Sequence, residues 1–184
     1  SKVKTELCSI ISNENNELTV ASREFMNDLY NELVEIEGKL KNLGKKVQQI
    51  CRQNEDCRRI MKIPGVGELT ATAIISAVPN PAVFKNGRHM SAWLGLVPRQ
   101  HSSGDKQILL GISKRGDIYL RTLLIHGARA ALSKCKNLDN EYGRWLTEKK
   151  CTLSMNKAAV ALANKNARII WSILSTGKEF DFNN

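Results

Sequence analysis

The feature that most constrains this chain is a spacing. From Phe25 the apolar positions fall at Leu29, Leu33, Ile36, Leu40, Leu43, Val47 and Ile50, and from Leu29 onward the steps alternate between four and three residues. Such a seam is satisfied by one long helix and by no strand, because a strand repeats every second residue. Its flanks are acidic early (Glu24, Asp28, Glu32, Glu35, Glu37) and basic late (Lys39, Lys41, Lys45, Lys46), the polarity that a helix dipole favours. Gly38 and Gly44 weaken it. The stripe is narrow for an ordinary core-facing surface, which favours pairing with a second chain as a coiled coil. A long amphipathic helix packed on its own domain is the alternative.

The seam divides the chain. Residues 1–56 are expected to form a short helix carrying Val3, Leu7, Ile10 and Ile11, a polar break over Ser12–Glu17, and the coiled coil. Residues 57–184 are expected to form one helical domain. The fold class is therefore all-α, with at most a short β-hairpin or loop around 99–110. A chain of 184 residues, 42% hydrophobic, suffices to bury a core. It opens on Ser1 with no methionine, and we expect it to belong to something longer.

Within the second segment, CRRIMKIPGVGELTATAIISAV places the turn Pro64-Gly65-Val66-Gly67 between two helices. Ile63, Gly65, Gly67 and Ala71 fit the helix-hairpin-helix pattern of DNA-binding proteins. Its glycines let backbone N–H groups at a helix start approach a phosphate. A plain tight turn between packed helices is the competing reading, and Glu68 counts against phosphate binding. Further on, Trp93, Leu94 and Leu96 are expected in the core, Ser113 is placed to cap a helix over 117–134, two more helices follow over 139–149 and 154–174, and the tail from Thr176 should fray.

Charge points to the partner. The net charge is +10, and residues 85–130 hold eight Lys or Arg against two Asp, an excess of six in a quarter of the chain. A polyanion is the first partner to consider. No apolar run is long enough to cross a bilayer and no leader sequence is evident, so a cytoplasmic location without membrane contact is expected. Five scattered cysteines without a Cys-x-x-Cys pair suit free thiols and offer no metal cluster.

The stretch that looks built for chemistry is Arg99-Gln100-His101-Ser102-Ser103-Gly104-Asp105-Lys106, followed by Lys114, Arg115, Arg121 and Arg129. A serine attacks only when a base takes its proton and positive charge steadies the group attacked. His101 or a metal-bound carboxylate could be that base. Arg99, Lys106, Lys114, Arg115 and Arg121 could clamp a phosphate, and Arg121 and Arg129, eight apart, share a helix face. The stretch lacks a Gly-x-Ser-x-Gly elbow, and its cations suit a phosphodiester better than a neutral ester. Composition alone does not separate a nucleophile from a Ser-Ser-Gly turn.

The succession IPGVGELTA, FKNGRHMSAWLGLVPRQHSSGDK, LGISKRGDIYLRTLLIHGARA and ALANKNARIIWSIL resembles, over residues 57–175, the C-terminal domain of the DEDD-type insertion-sequence transposases, relatives of the Piv DNA invertases and of bridge-RNA-guided recombinases. The resemblance implies a serine nucleophile that forms a covalent phosphoserine–DNA intermediate. It implies DNA as partner, a structured guide RNA in guided members, and homo-oligomers joined through the coiled coil. Ser103, next to Gly104, is the preferred nucleophile and Ser102 the second choice. Gly65, Gly67, Arg99, Lys106, Lys114, Arg115, Arg121 and Arg129 are the expected nucleic-acid contacts. The family's divalent metal, expected to be Mg, sits on four acidic residues of an N-terminal RuvC-like domain. No apolar strands carrying aspartates precede Ser22, so these residues hold no metal ligands and are expected to bind nucleic acid without recombining it alone. A non-catalytic DNA-binding module and a coiled-coil dimerisation domain remain as alternatives.

Overall fold

The computed structural model describes residues 2–13, 15–103, 106–134 and 140–182, and for residues 2, 101–103 and 106–109 the account is of the backbone alone. The fold is mainly helical, as the spacing predicts. Its elements are α1 (Lys2–Ser12), α2 (Val20–Gln53), α3 (Glu55–Ile60), α4 (Glu68–Ala77), a 3-10 turn (Pro81–Val83), α5 (Gly87–Trp93), β1 (Pro98–Ser103), β2 (Lys106–Ile112), α6 (Ile118–Lys134), α7 (Glu141–Thr152) and α8 (Met155–Thr176). The described residues form one sheet, an antiparallel β1–β2 ribbon.

Two compact units emerge, residues 1–46 and 47–184. In the first, α1 folds back along α2. Lys4 pairs with Glu37, and the Arg23 guanidinium donates to the carbonyls of Ile11 and Asn13, closing the polar turn between the helices. The 34 residues of α2 measure about 51 Å at 1.5 Å per residue. The heptad seam stays in solvent: Phe25 is 64% exposed, and Leu29, Leu33, Ile36, Leu40 and Leu43 are exposed with it.

In the second unit α8 is the central element, packed most extensively on α6 and then on α5. Its buried face carries Ala158, Ala159, Leu162, Ala163, Ala167, Ile170 and Ile173, where small residues let neighbouring helices approach closely. Leu124, Ala128 and Leu132 of α6 and Met90 of α5 complete the centre. Asn166 is the polar pin of this core, 1% exposed. Its Oδ1 accepts from Tyr142 Oη of α7 at 3.0 Å, and its Nδ2 donates to the Pro64 carbonyl in the α3–α4 turn at 2.9 Å. The last turn of α2 also belongs here, with Cys51 buried beside Cys57 and Met61. Burial first, and the neighbouring Cys51 second, push the Cys57 thiol up to about 12. Cys8, Cys51, Cys57 and Cys151 are free thiols, and Cys135 lies outside the described residues.

Several local expectations are corrected. The cap of α6 is Asp117, whose Oδ1 accepts from Leu120 N at 2.9 Å. Ser113 instead donates its N–H to the Val97 carbonyl. Trp93 is 36% exposed, tilted against Phe84, while Leu94 and Leu96 are buried as expected. The tail does not fray at Thr176. Gly177 ends α8 in the left-handed conformation, after which Phe180 and Phe182 pack edge-on against Tyr142 and the Phe182 carbonyl accepts from Tyr142 N. Three aromatic rings in mutual contact hold a segment that its polar neighbours hid in the sequence.

Replacing Asn166 with Ala removes one acceptor from the buried Tyr142 phenol and the side-chain donor from the Pro64 carbonyl. Asn166→Ala is expected to destabilise the fold by about 2–4 kcal/mol, read as a lowered midpoint in chemical denaturation, whereas Ala at the exposed Lys157 position should leave the midpoint unchanged.

Candidate serine hairpin and nucleic-acid interface

The serine stretch folds as the β1–β2 hairpin. Register pairs Ser103 with Lys106, Ser102 with Gln107 and His101 with Ile108. Ser103 is thus the last residue of β1, opposite the first residue of β2, and Ser102 lies one step down the ladder. Gly104 and Asp105, which join them, lie outside the described residues. Between Pro98 and Gln100 the register shifts, setting Arg99 against both Leu110 and Gly111, an irregularity of the kind that bends and twists a ribbon near its base.

The foot of the hairpin is clamped. Gly95 and Gly116 both have positive φ, at 71° and 99°. A Cβ on Gly95 would fall 2.1 Å from the Arg115 carbonyl oxygen, and one on Gly116 would fall 1.8 Å from that of Trp93. The segments after α5 and before α6 therefore touch backbone to backbone, a contact only glycine permits. Lys114 N donates to Gly95 O at 3.1 Å and Ser113 N to Val97 O at 2.8 Å. Between these anchors Lys114 is held at φ 55°, in the left-handed region that a lysine seldom adopts. The clamp displays Lys114 and Arg115 in solvent.

The expected phosphate contacts do not all fall together. Arg99, Lys114 and Arg115 are exposed around the hairpin foot. Arg121 departs from the expectation: it is 8% exposed, and its Nη1 donates to the Leu94 carbonyl at 3.1 Å. This guanidinium satisfies a carbonyl at the C-terminal end of α5 and ties α6 to the clamp, so it leaves the set of exposed cations. Arg129 is exposed and donates to Asn156 Oδ1 at 2.9 Å, so the two arginines do not form one basic face. Lys165 and Arg168, which sequence reasoning left on a polar side of α8, lie beside the hairpin foot with Lys157 and Lys114. Their spacing of eight and three residues along one helix was the available signal.

The glycine turn has a different basis from that expected for Gly65. Its φ is 90°, and a Cβ there would lie 2.6 Å from the Gly127 carbonyl oxygen of α6. Gly65 thus permits close packing of the turn on α6. Gly67 caps α4, and a Cβ at that position meets nothing within 4 Å. The Glu68 carboxylate beside it accepts from Gln48 Nε2 at 3.0 Å.

Among the described residues no group of three or more His, Cys, Asp or Glu is arranged to hold a metal ion. Nor is any helix among the described residues long and apolar enough to cross a membrane.

The described residues thus form a two-stranded ribbon carrying Ser102 and Ser103 on a helical core, with exposed Lys114 and Arg115 at its base. Residues 57–144 match the family described as Transposase IS116/IS110/IS902. The chain is 46% identical over 170 residues to the transposase for insertion sequence element IS1111A of Coxiella burnetii, an alignment covering 92% of this chain and 47% of that protein. It is 42% identical to a probable family 20 transposase of Pseudomonas aeruginosa, over 91% of this chain and 49% of the other. It is 25% identical to the pilin gene-inverting protein of Moraxella bovis, over 70% of this chain and 39% of that protein. The chain spans about half the length of the first two relatives.

The two glycines of the turn separate packing from phosphate contact. Gly65→Ala is expected to lower stability by about 2–3 kcal/mol through backbone strain and the clash with α6. Gly67→Ala should keep the thermal midpoint, so a loss of DNA affinity in that variant would locate a phosphate at the start of α4, and unchanged affinity would leave the turn a packing device.

Proposed function

We propose that this chain is the serine-bearing, nucleic-acid-binding part of an insertion-sequence transposase, a DNA recombinase. What supports the reading is a serine at the end of a hairpin strand, Ser103 opposite Lys106, on a clamp that carries exposed Lys114 and Arg115. In the proposed step a Ser103 Oγ lone pair attacks a DNA phosphorus. An Oγ–P bond forms, the bond from phosphorus to one deoxyribose oxygen breaks, and that oxygen leaves as a hydroxyl. The serine proton passes to a base. Because phosphodiester is exchanged for phosphoserine ester, the strand can be rejoined without an external energy source, the property a recombinase needs. Lys106, opposite Ser103, would steady the charge that builds on the oxygens of the attacked phosphate, while Lys114 and Arg115 would hold the strand at the hairpin foot.

The domain with four acidic residues and Mg, implied by the family resemblance, would lie outside these residues and supply the metal when bound. A structured guide RNA would carry sequence recognition by base pairing, leaving this chain to hold backbones. In complete protein supplied with RNA and metal, Ser103→Ala is expected to abolish a covalent protein–DNA adduct on denaturing gels, with an unchanged circular dichroism spectrum. An adduct that survives in Ser103→Ala and disappears in Ser102→Ala moves the nucleophile one residue. Survival in both reduces the hairpin to a binding element and favours a non-catalytic module.

A second proposal concerns assembly. The uncovered seam of α2 favours a homodimer through a coiled coil. Sedimentation should give a dimer for the native chain and a monomer for Leu33→Glu/Leu40→Glu. A native chain that stays monomeric at high concentration removes α2 as the dimer contact.

A further inference from the structure

Helix α8 has a second face. Lys157, Val160, Ala161, Asn164, Lys165 and Arg168 recur at steps of three, one, three, one and three residues, so they form one stripe, distinct from the core-facing alanines and leucines. That stripe, Trp145 of α7 and the hairpin foot enclose an open groove of about 1090 Å³. The floor is aliphatic, with Leu96, Ile112, Val160 and Ile169, and Leu110 among its walls is 41% exposed. The cations at the groove are Lys114, Lys157, Lys165 and Arg168, and among the described residues no carboxylate belongs to its lining.

Among the described residues none of the four takes part in a salt bridge. Lys165 Nζ sits 4.6 Å from the centre of the Trp145 ring and 5.5 Å from that of Tyr142. Burial first, and the Arg168 charge second, lower its pKa while Glu141 opposes them, and a bound anion would offset the Arg168 charge. Lys114 reaches this groove from its strained left-handed position, which the glycine clamp enforces. The occupant must therefore bring negative charge to the cations and an apolar surface to the floor. A duplex presents phosphates outward and would leave the floor wet. An apolar peptide would leave the cations without partners.

We propose that this groove seats unpaired nucleotides of a single DNA or RNA strand, with bases on the aliphatic floor and phosphates on Lys114, Lys157, Lys165 and Arg168. The inference rests on the function proposed above. It extends that function by giving the strand a place beyond the serine. β1 rises about 17 Å from Pro98 in the groove to Ser103, which is on the order of five stacked nucleotides at 3.4 Å each. A strand held at the hairpin's serine end can thus continue to its foot. The same groove could accept the acidic, apolar-seamed first half of α2 from a second copy. Four cations that join no salt bridge among the described residues, beside the serine ribbon, favour the nucleic acid.

The test is fluorescence anisotropy on the 184-residue chain with labelled single-stranded dT20, single-stranded U20 and a 20-base-pair duplex. Lys157→Glu/Arg168→Glu should weaken binding of the preferred single strand at least tenfold and reduce its salt slope by about 1.4, two phosphate contacts at about 0.7 each, while duplex binding changes less than twofold. Leu110→Glu, in the exposed wall, should weaken the single strand similarly, and both variants should keep the native melting midpoint. Stronger loss on dT20 identifies a DNA strand and stronger loss on U20 an RNA strand. Single-strand affinity within twofold of native in both variants overturns the proposal. Equal loss on single strand and duplex also overturns it, since no base seat would then exist. A native chain that binds neither single strand, with self-association lost in the charge variant, assigns the groove to a second copy. The readout is binding, so failure of the serine chemistry leaves it standing, and an adduct that still forms in groove variants with native single-strand affinity refutes the groove alone.

Discussion

Backbone touching backbone is the constraint on which the candidate site depends. Trp93–Gly95 and Arg115–Gly116 meet with no side chain between them, because a Cβ on Gly116 would fall 1.8 Å from the Trp93 carbonyl oxygen. A two-stranded ribbon has little stability of its own. Here its two ends leave from neighbouring points of a contact welded into the helical core by Arg121, whose guidanium-type fork reaches the Leu94 carbonyl from α6. The geometry of the foot follows from that contact. So does the conformation of Lys114, which is left-handed because the segment between Gly95 and Gly116 has no room to relax.

The same device recurs midway along α6. Gly65 and Gly127 bring the α3–α4 turn against that helix, and Asn166 of α8 holds the turn from the opposite side through the Pro64 carbonyl. One helix is thus fixed at two levels by glycine contacts, and α8 beside it carries the core on one face and the cationic stripe on the other. Small residues serve both ends of the argument. They let the helices close up, and close helices position cations, since lysine stems lying along apolar surface keep their charged heads at the rim.

Much of the fold was legible because periodicity reports burial. The seam of α2 and the apolar stripes of α6 and α8 each mark a helix, and Pro79, Pro81 and the Pro64–Gly67 turn mark the breaks. What escaped depends on contacts between residues distant in sequence. Arg121 sits among exposed cations in the chain, and only the fold turns it toward Leu94, twenty-seven residues away. Gly65 matches a phosphate-binding pattern, yet its immediate neighbour in space is the α6 backbone. The aromatic cluster of Tyr142, Phe180 and Phe182 joins a helix to a tail that looked polar. The serine stretch was readable as a turn-rich, basic segment, and its pairing as a ribbon follows from Gln107–Leu110 on the far side of Gly104 and Asp105.

The proposed chemistry divides unevenly between these residues and whatever completes them. A phosphoryl transfer needs a nucleophile, a base, charge stabilisation and alignment of the leaving oxygen. The hairpin supplies a serine and neighbouring cations, and among the described residues no group of three or more His, Cys, Asp or Glu could hold a metal ion. A nucleophile on a ribbon that projects from a rigid foot is suited to a site assembled from two bodies. The foot fixes where the ribbon starts, and the partner body sets where its end must go. Substrate held at the foot would then enter the site already aligned, which lowers the entropic part of the barrier before any metal or base acts. On this reasoning the cations at the foot matter more for where the strand lies than for the charge on the reacting phosphate, which sits a ribbon's length away.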